Sequence, residues 1–293
     1  MDSKGRIFHA LNVCLLMGLV VVTLLPFWTS IVGSLNDGTD FSRGGVYFWP
    51  RKFTMNNYRF VLSDSKIFDS FFISLLRTII GTFTSVFFTS IVAYGMESKQ
   101  LKGKGFYAAF MVITMYFSGG IIPGYILIKN LHLIDNFLVY IIPCLFSVYN
   151  MILIQSSYRE IPEAIRESAK MDGASEYTIL LRLFIPMSKP VLAAVSLFTA
   201  VGHWNSYFDS MMYTTDASLQ TIQYYLQQII TKTSLAIGLA GRAAQAMPAE
   251  RMTVSSMTIT LATMVLTTIP IICVYPIVQR HFVKGIMIGS VKG

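Results

Sequence analysis

Charge is what this sequence has least of: 13% of its 293 residues are charged, against 54% hydrophobic. Soluble domains carry about a quarter charged residues, so an ordinary water-soluble fold is excluded. Cysteine is scarce too. Cys14, Cys144 and Cys273 are dispersed through apolar runs without CxxC spacing, which excludes a disulfide framework and a thiolate metal site. Small apolar side chains within spans are the simpler reading of all three. Val13 stands before Cys14 where a lipid-attachment site wants a small residue. No Gly-x-x-x-x-Gly-Lys-Ser/Thr run occurs, and Gly103-Lys104-Gly105 is too short to cradle phosphates. His9, His132, His203 and His281 are scattered and form no constellation for an interfacial enzyme. No Gln/Asn-rich tract, Pro-rich linker or short repeat divides the chain. One membrane domain over 1–293 is the simplest partition.

What is present are six apolar stretches, at 8–31, 70–96, 106–128, 137–155, 190–212 and 258–279. Each is near the length of about 20 residues that a helix needs to cross the hydrocarbon at about 1.5 Å per residue. The prediction is an all-α polytopic membrane protein with six transmembrane helices. Spans three and four should form a tight hairpin, with Pro123 and Pro143 tolerated as kinks. The net charge of +8 does not mark a nucleic-acid binder. The basic residues sit at the ends of apolar runs, and no basic face alternates with aromatics.

Lys4 and Arg6 precede a first span that is too long for a signal peptide and lacks a small-x-small site, so an uncleaved anchor is expected. The positive-inside rule then places both termini in the cytoplasm, with Lys99, Lys102, Lys104, the 159–189 segment, Arg280, Lys284 and Lys292. Long external loops are expected at 33–69 and 213–257. The second should hold a helical part at 219–231 and a small-residue part at 236–249. Arg77 is the one cation within a span. Its stem is expected to snorkel to the interface; the alternative is that it faces a translocation path or pairs with Asp209.

The 156–189 loop is too long for a simple connection and too regular for a disordered one. Pro162 and Glu163 suit the first turn of a helix. Ile161, Ile165, Ser168 and Ala169 share one face, with Glu163, Glu167 and Lys170 on another. Gly173 can take the positive φ that ends a helix, and Asp172 or Ser175 can cap the next. Two short helices with a sharp turn between them are predicted.

The run Glu167-Ser168-Ala169, Asp172-Gly173-Ala174, then Leu183-Phe184-Ile185-Pro186 resembles the "EAA" loop of binding-protein-dependent ABC importers, departing at Ser168, where Ala is usual. Over nearly the whole chain the sequence is similar to the maltose-permease-type subunits of the carbohydrate-uptake family. Phe117-Ser-Gly-Gly-Ile-Ile-Pro123, Gly202-His-Trp-Asn-Ser206 and the tail from Phe282 to Gly293 resemble the polysaccharide or lipoprotein-associated permeases of Gram-positive bacteria. The resemblance implies a type I ABC importer fold in which Glu163, Glu167, Ser168, Ala169, Asp172, Gly173 and Ala174 couple to the ATPase. It implies a second homologous permease, two copies of a nucleotide-binding ATPase, and an extracellular substrate-binding protein. The cargo would be a carbohydrate. No cofactor is expected on this chain, since ATP and Mg would be bound by the partner ATPase.

Span five carries His203, Trp204, Asn205, Tyr207 and Asp209. Such groups are costly in hydrocarbon unless they face a partner or a water-filled path, and aromatics with amides and carboxylates suit a sugar. Spacings of four put His203 with Tyr207, and Asn205 with Asp209, on shared helix faces. Packing against the partner permease is the competing explanation. A secondary transporter would instead predict inverted repeats, broken helices and a midplane carboxylate pair. Asp209 is the only intramembrane carboxylate here.

Overall fold

The computed structural model describes residues 3–243 and 255–289. Residues 244–249 of the expected small-residue segment, and 290–293 of the tail with Lys292, lie outside them. The helices in chain order are α1 (Ser3–Ser34), α2 (Gly38–Ser42), α3 (Asn56–Ser63), α4 (Ser65–Glu97), α5 (Lys104–Tyr116), α6 (Ile121–Asn130), α7 (Val148–Arg159), α8 (Glu163–Met171), α9 (Glu176–Ile179), α10 (Ile185–Met187), α11 (Lys189–Asn205), α12 (Phe208–Tyr213), α13 (Ile222–Ala243) and α14 (Ser256–Gly289). No strand forms among the described residues; a single bridge joins Asn36 and Phe53. The all-α expectation holds.

Three helical segments, Phe8–Ser34, Ser65–Glu97 and Ser256–Cys273, are each long and apolar enough to cross a membrane. Two bent pairs raise the number to five if each is one span: α5 with α6, bent by 112°, and Glu176–Met187 with α11, bent by 84°. The 106–128 stretch is therefore not one straight helix. Its chain breaks at 117–120, where Gly120 adopts φ +88° and Ser118 Oγ accepts from the Gly120 N–H. Pro123 falls in the first turn of α6, where its missing N–H costs nothing, rather than at a kink. The 137–155 stretch is also interrupted. A 3₁₀ turn at Phe137–Tyr140 gives way to an irregular segment around Pro143, and Ser147 caps a new helix by accepting from the Asn150 N–H. Within a membrane, irregular backbone is tolerated where it is buried in protein or lines a cavity.

The chain forms two compact units, Met1–Ile67 with Tyr225–Pro270, and Phe68–Tyr224 with Ile271–Gly293. In the first, a buried polar knot replaces a purely apolar core. Asn57 donates to the Ser34 and Asn36 carbonyls at 2.8 and 2.9 Å and accepts from Thr258 Oγ1 at 2.8 Å. Each side-chain group is thereby satisfied, which a buried amide requires. A Cβ at Gly33 would stand 2.6 Å from Leu261, so α1 and α14 approach closely only over glycine.

In the second unit, Ala93, Tyr94, Met151, Ile154, Tyr158, Ile179, Leu180, Phe184 and Val195 form one buried cluster joining α4, α7, α11 and the 156–189 loop. Tyr94, Tyr158 and Phe184 meet edge to face, with centroids 5.0 to 6.5 Å apart. Such pairs contribute about 0.5–1.5 kcal/mol each beyond their buried area. The loop is thus bolted to α4, α7 and α11, not draped beneath them.

Candidate functional site

Two constellations occur in the second unit. In the loop, α8 ends as its sequence directs. Gly173 takes φ +80°, its N–H donates to the Lys170 carbonyl at 3.0 Å, and Ala174 N–H reaches back to Ala169 O at 2.9 Å. This hydrogen-bond pair is the Schellman closure, which favours glycine at the left-handed position. Asp172 is the last residue before the turn, and it is Ser175 that caps the next helix, accepting from Thr178 N–H. The second element is longer than expected. It continues from α9 through a π-helical turn at Leu180–Phe184 into α10, so Pro186 lies inside it, not after it.

The face assignment of α8 needs one correction. Ile161, Ile165 and Ala169 are turned toward the interior, but Ser168 is exposed and Arg166 takes its place. The Arg166 guanidinium lies 5.2 Å over the Tyr94 ring and donates to Glu176 at 3.1 Å. Glu176 also receives Lys170 at 2.6 Å and the Tyr94 hydroxyl. Glu163 pairs with Lys99, and Glu97 with Arg159 at 2.9 Å. Outward stand Glu167, Ser168, Asp172 and Gly173. With them are two large apolar side chains the sequence reading passed over, Met171 at 88% and Tyr177 at 73% exposure. Exposed apolar groups on a rigid ledge are the signal for docking that periodicity alone did not give.

Burial pushes the Glu176 carboxyl up, but the hydrogen bonds from Lys170 and Tyr94 and the Arg166 charge outweigh it and hold the pKa at about 2. A carboxyl depressed below its ordinary 4.5 contributes stability that is complete above that value and is lost as pH falls from about 4.5 toward 2. Hydrogen-exchange protection of α8 and its turn is therefore expected to be flat from pH 8 to 5 and to fall below 4.5. Glu176→Gln should lower protection at neutral pH and abolish that dependence. A pH-independent wild type would contradict the clasp.

The second constellation is a cavity of about 540 Å³. Its walls are Arg77 and Ser85 of α4, Cys144 and Ser147 of the interrupted stretch, Tyr149 and Asn150 of α7, and Phe198, Thr199, Gly202 and His203 of α11, with Ser206 and Asp209 beyond. Arg77 does not snorkel. It is 1% exposed, donates to both Asp209 carboxylate oxygens at 3.1 and 2.5 Å and to the Ser206 carbonyl at 3.3 Å, and lies 4.4 Å over the Tyr140 ring. A charge that deep needs a partner, and the bidentate carboxylate supplies it. Arg77 Nε has no hydrogen-bond partner among the described residues.

That pairing also undoes the predicted continuous helix through 190–212. α11 ends at Asn205, Ser206 turns extended with its hydroxyl on Asp209, and α12 starts at Phe208. The spacing-of-four faces consequently do not exist. His203 and Asp209 reach the cavity; Asn205 and Tyr207 are exposed and do not line it. Trp204 is buried edge-on against Phe71, at 5.6 Å between centroids. His203 fits over Gly81, where a Cβ would stand 2.6 Å from the imidazole, so glycine is required for α4 and α11 to approach. The sequence reading missed Asn150 and Thr199, hydrogen-bonded at 3.1 Å across α7 and α11.

No family model matches the chain. Protein LplC of Bacillus subtilis (strain 168) is 35% identical over 291 residues, 99% of this chain and 97% of the relative. The polygalacturonan/rhamnogalacturonan transport system permease protein YtcP of the same organism is 33% identical over 290 residues, 99% and 100% of the two chains. Among solved structures, a chain of a bacterial ABC transporter involved in the import of the acidic polysaccharide alginate is 29% identical. It superposes with a TM-score of 0.85, covering 96% of this chain and 99% of that one.

Proposed function

Because the chain belongs to the permeases of carbohydrate ABC transporters, we propose that it is one membrane domain of a binding-protein-dependent importer that carries an oligosaccharide of an acidic glycan into the cell. The single observation that carries this is the α8 ledge. It is braced through Tyr94, Tyr158 and Phe184 to the membrane-length α4 and to α7, yet it presents Glu167, Met171, Gly173 and Tyr177 outward. A surface both rigid and unburied suits the transfer of motion from a second protein.

In this reading the six apolar stretches are six crossings of the plasma membrane, bent or broken where the helices are, with both termini in the cytoplasm. Glu163, Glu167, Ser168, Ala169, Asp172, Gly173 and Ala174 form the contact with a nucleotide-binding ATPase. Two such ATPases, with their ATP and Mg, serve a pair of permeases of which this chain is one, and a substrate-binding protein delivers cargo outside. The chain itself is not an enzyme. Alternating access moves the cargo past the cavity. There Asn150, Thr199 and His203 offer hydrogen bonds to hydroxyl or carboxylate groups, while Tyr149 and Phe198 offer apolar faces to sugar C–H surfaces. YtcP is named for polygalacturonan and rhamnogalacturonan, and the solved transporter imports the acidic polysaccharide alginate, which supports that substrate class.

The test is ATP hydrolysis by the complete assembly in nanodiscs, with its binding protein and a panel of neutral and uronate-containing oligosaccharides. Hydrolysis is expected to rise several-fold with an acidic oligosaccharide. Stimulation by neutral sugars alone overturns the substrate class, and hydrolysis indifferent to every sugar overturns the importer.

A further inference from the structure

The segment 44–53 puts its aromatic residues outside. Tyr47, Phe48, Trp49 and Phe53 are each more than 60% exposed, although Val46 between them and the glycines is buried. Exposed rings in series are unusual unless something covers them. They are not loosely held. Trp28 Nε1 donates to the Phe48 carbonyl at 3.0 Å, and Trp28 meets Trp49 edge to face at 5.7 Å. Arg51 pins the segment's base, donating to Asp40 and to the Gly44 carbonyl at 2.6 Å. Gly44 and Gly45 both take positive φ, at +75° and +77°, to turn the chain there.

The position of Trp28 indicates what covers the rings. From Phe8 to Trp28, α1 rises about 30 Å at 1.5 Å per residue, the thickness of the hydrocarbon core. None of that apolar window is buried within the chain. Trp28 therefore falls at the hydrocarbon edge, and Trp49 and Phe48 are fixed to it laterally. Indole and phenol rings are favoured at that depth, where one side is apolar and the other wet. Charge agrees. Between Ser42 and Phe53 there is no acidic residue, and Arg43 and Lys52, which flank the rings in sequence, are exposed.

We propose that the 44–53 segment is a membrane-interface anchor, seating Tyr47, Phe48 and Trp49 among the headgroups at the C-terminal end of α1, with anionic phospholipid as its partner. The anchor fixes the depth of α1 and holds the polar knot of Asn36, Asn57 and Thr258 clear of the hydrocarbon. The inference rests on α1 being a span and is independent of which side its end faces.

The experiment places p-benzoyl-phenylalanine at Trp49, or at Phe53 as a second probe, in the assembled transporter. Nanodiscs contain equal parts phosphatidylglycerol and phosphatidylcholine, and adducts are weighed after irradiation. A control probe replaces Val22, exposed in mid-α1. Lipid adducts are expected at 49 and 53, enriched several-fold for phosphatidylglycerol, with adducts to both lipids at 22. Cross-links at 49 and 53 only to the second permease or the binding protein, with lipid still at 22, overturn the anchor and leave the span intact. Absence of lipid at all three positions overturns both. Lipid adducts without headgroup preference overturn the anionic partner.

Discussion

Arg77→Ala is expected to destabilise the protein by about 3–5 kcal/mol, and Asp209→Ala by a similar amount. The reason is asymmetry, not the strength of the pair. Arg77 is fully buried, so removing Asp209 leaves a cation with one carbonyl and one aromatic face for company. Removing Arg77 leaves a carboxylate that the Ser206 hydroxyl and the Ser210 N–H satisfy only partly. Replacing both together, Arg77→Met with Asp209→Leu, is expected to recover most of the loss, since the apolar pair fills the same space without desolvated charge. Thermal unfolding of wild type, the two alanine variants and the paired replacement in one detergent measures the losses and the recovery. Single variants within about 1 kcal/mol of wild type would mean that the pair is solvated like a surface bridge.

The second large effect is on the α8 ledge. Glu167→Lys and Gly173→Asp are each expected to weaken ATPase binding about 30- to 1,000-fold, corresponding to about 2–4 kcal/mol at a central interface position. Neither should unfold the chain. Glu167 is exposed, and nothing lies within 4 Å of a Cβ at Gly173. An aspartate there pays about 1–2 kcal/mol for the left-handed backbone. The greater consequence is a bulky anion where a partner surface must come close. Uptake should fall accordingly, while the folded permease is still recovered from the membrane.

The α8 turn was legible in the sequence because its determinants are local. A positive-φ glycine and a Ser three residues before a Thr N–H carry their own geometry. The apolar stretches were legible for the same reason, since hydropathy sums over a window. Breaks within them were not. Residues 206–207 are as ordinary as their neighbours, and what ends the helix there is a distant partner. Asp209 is held by Arg77, 132 positions away. The snorkelling expectation failed and its alternative, a pair with Asp209, is what forms; hydropathy alone could not decide between them. Ser168 was grouped with Ile161, Ile165 and Ala169 by helical spacing, whereas Arg166 is drawn in by the Tyr94 ring and Glu176, contacts between α8, α4 and α9 that no periodicity encodes.

The most direct measurement is co-purification of the epitope-tagged chain from its own membranes. Wild type is expected to bring down a second permease and an ATPase, and Glu167→Lys and Gly173→Asp to keep the permease and lose the ATPase. Retention of the ATPase by both variants would contradict the assignment of α8 and its Gly173 turn as the coupling contact.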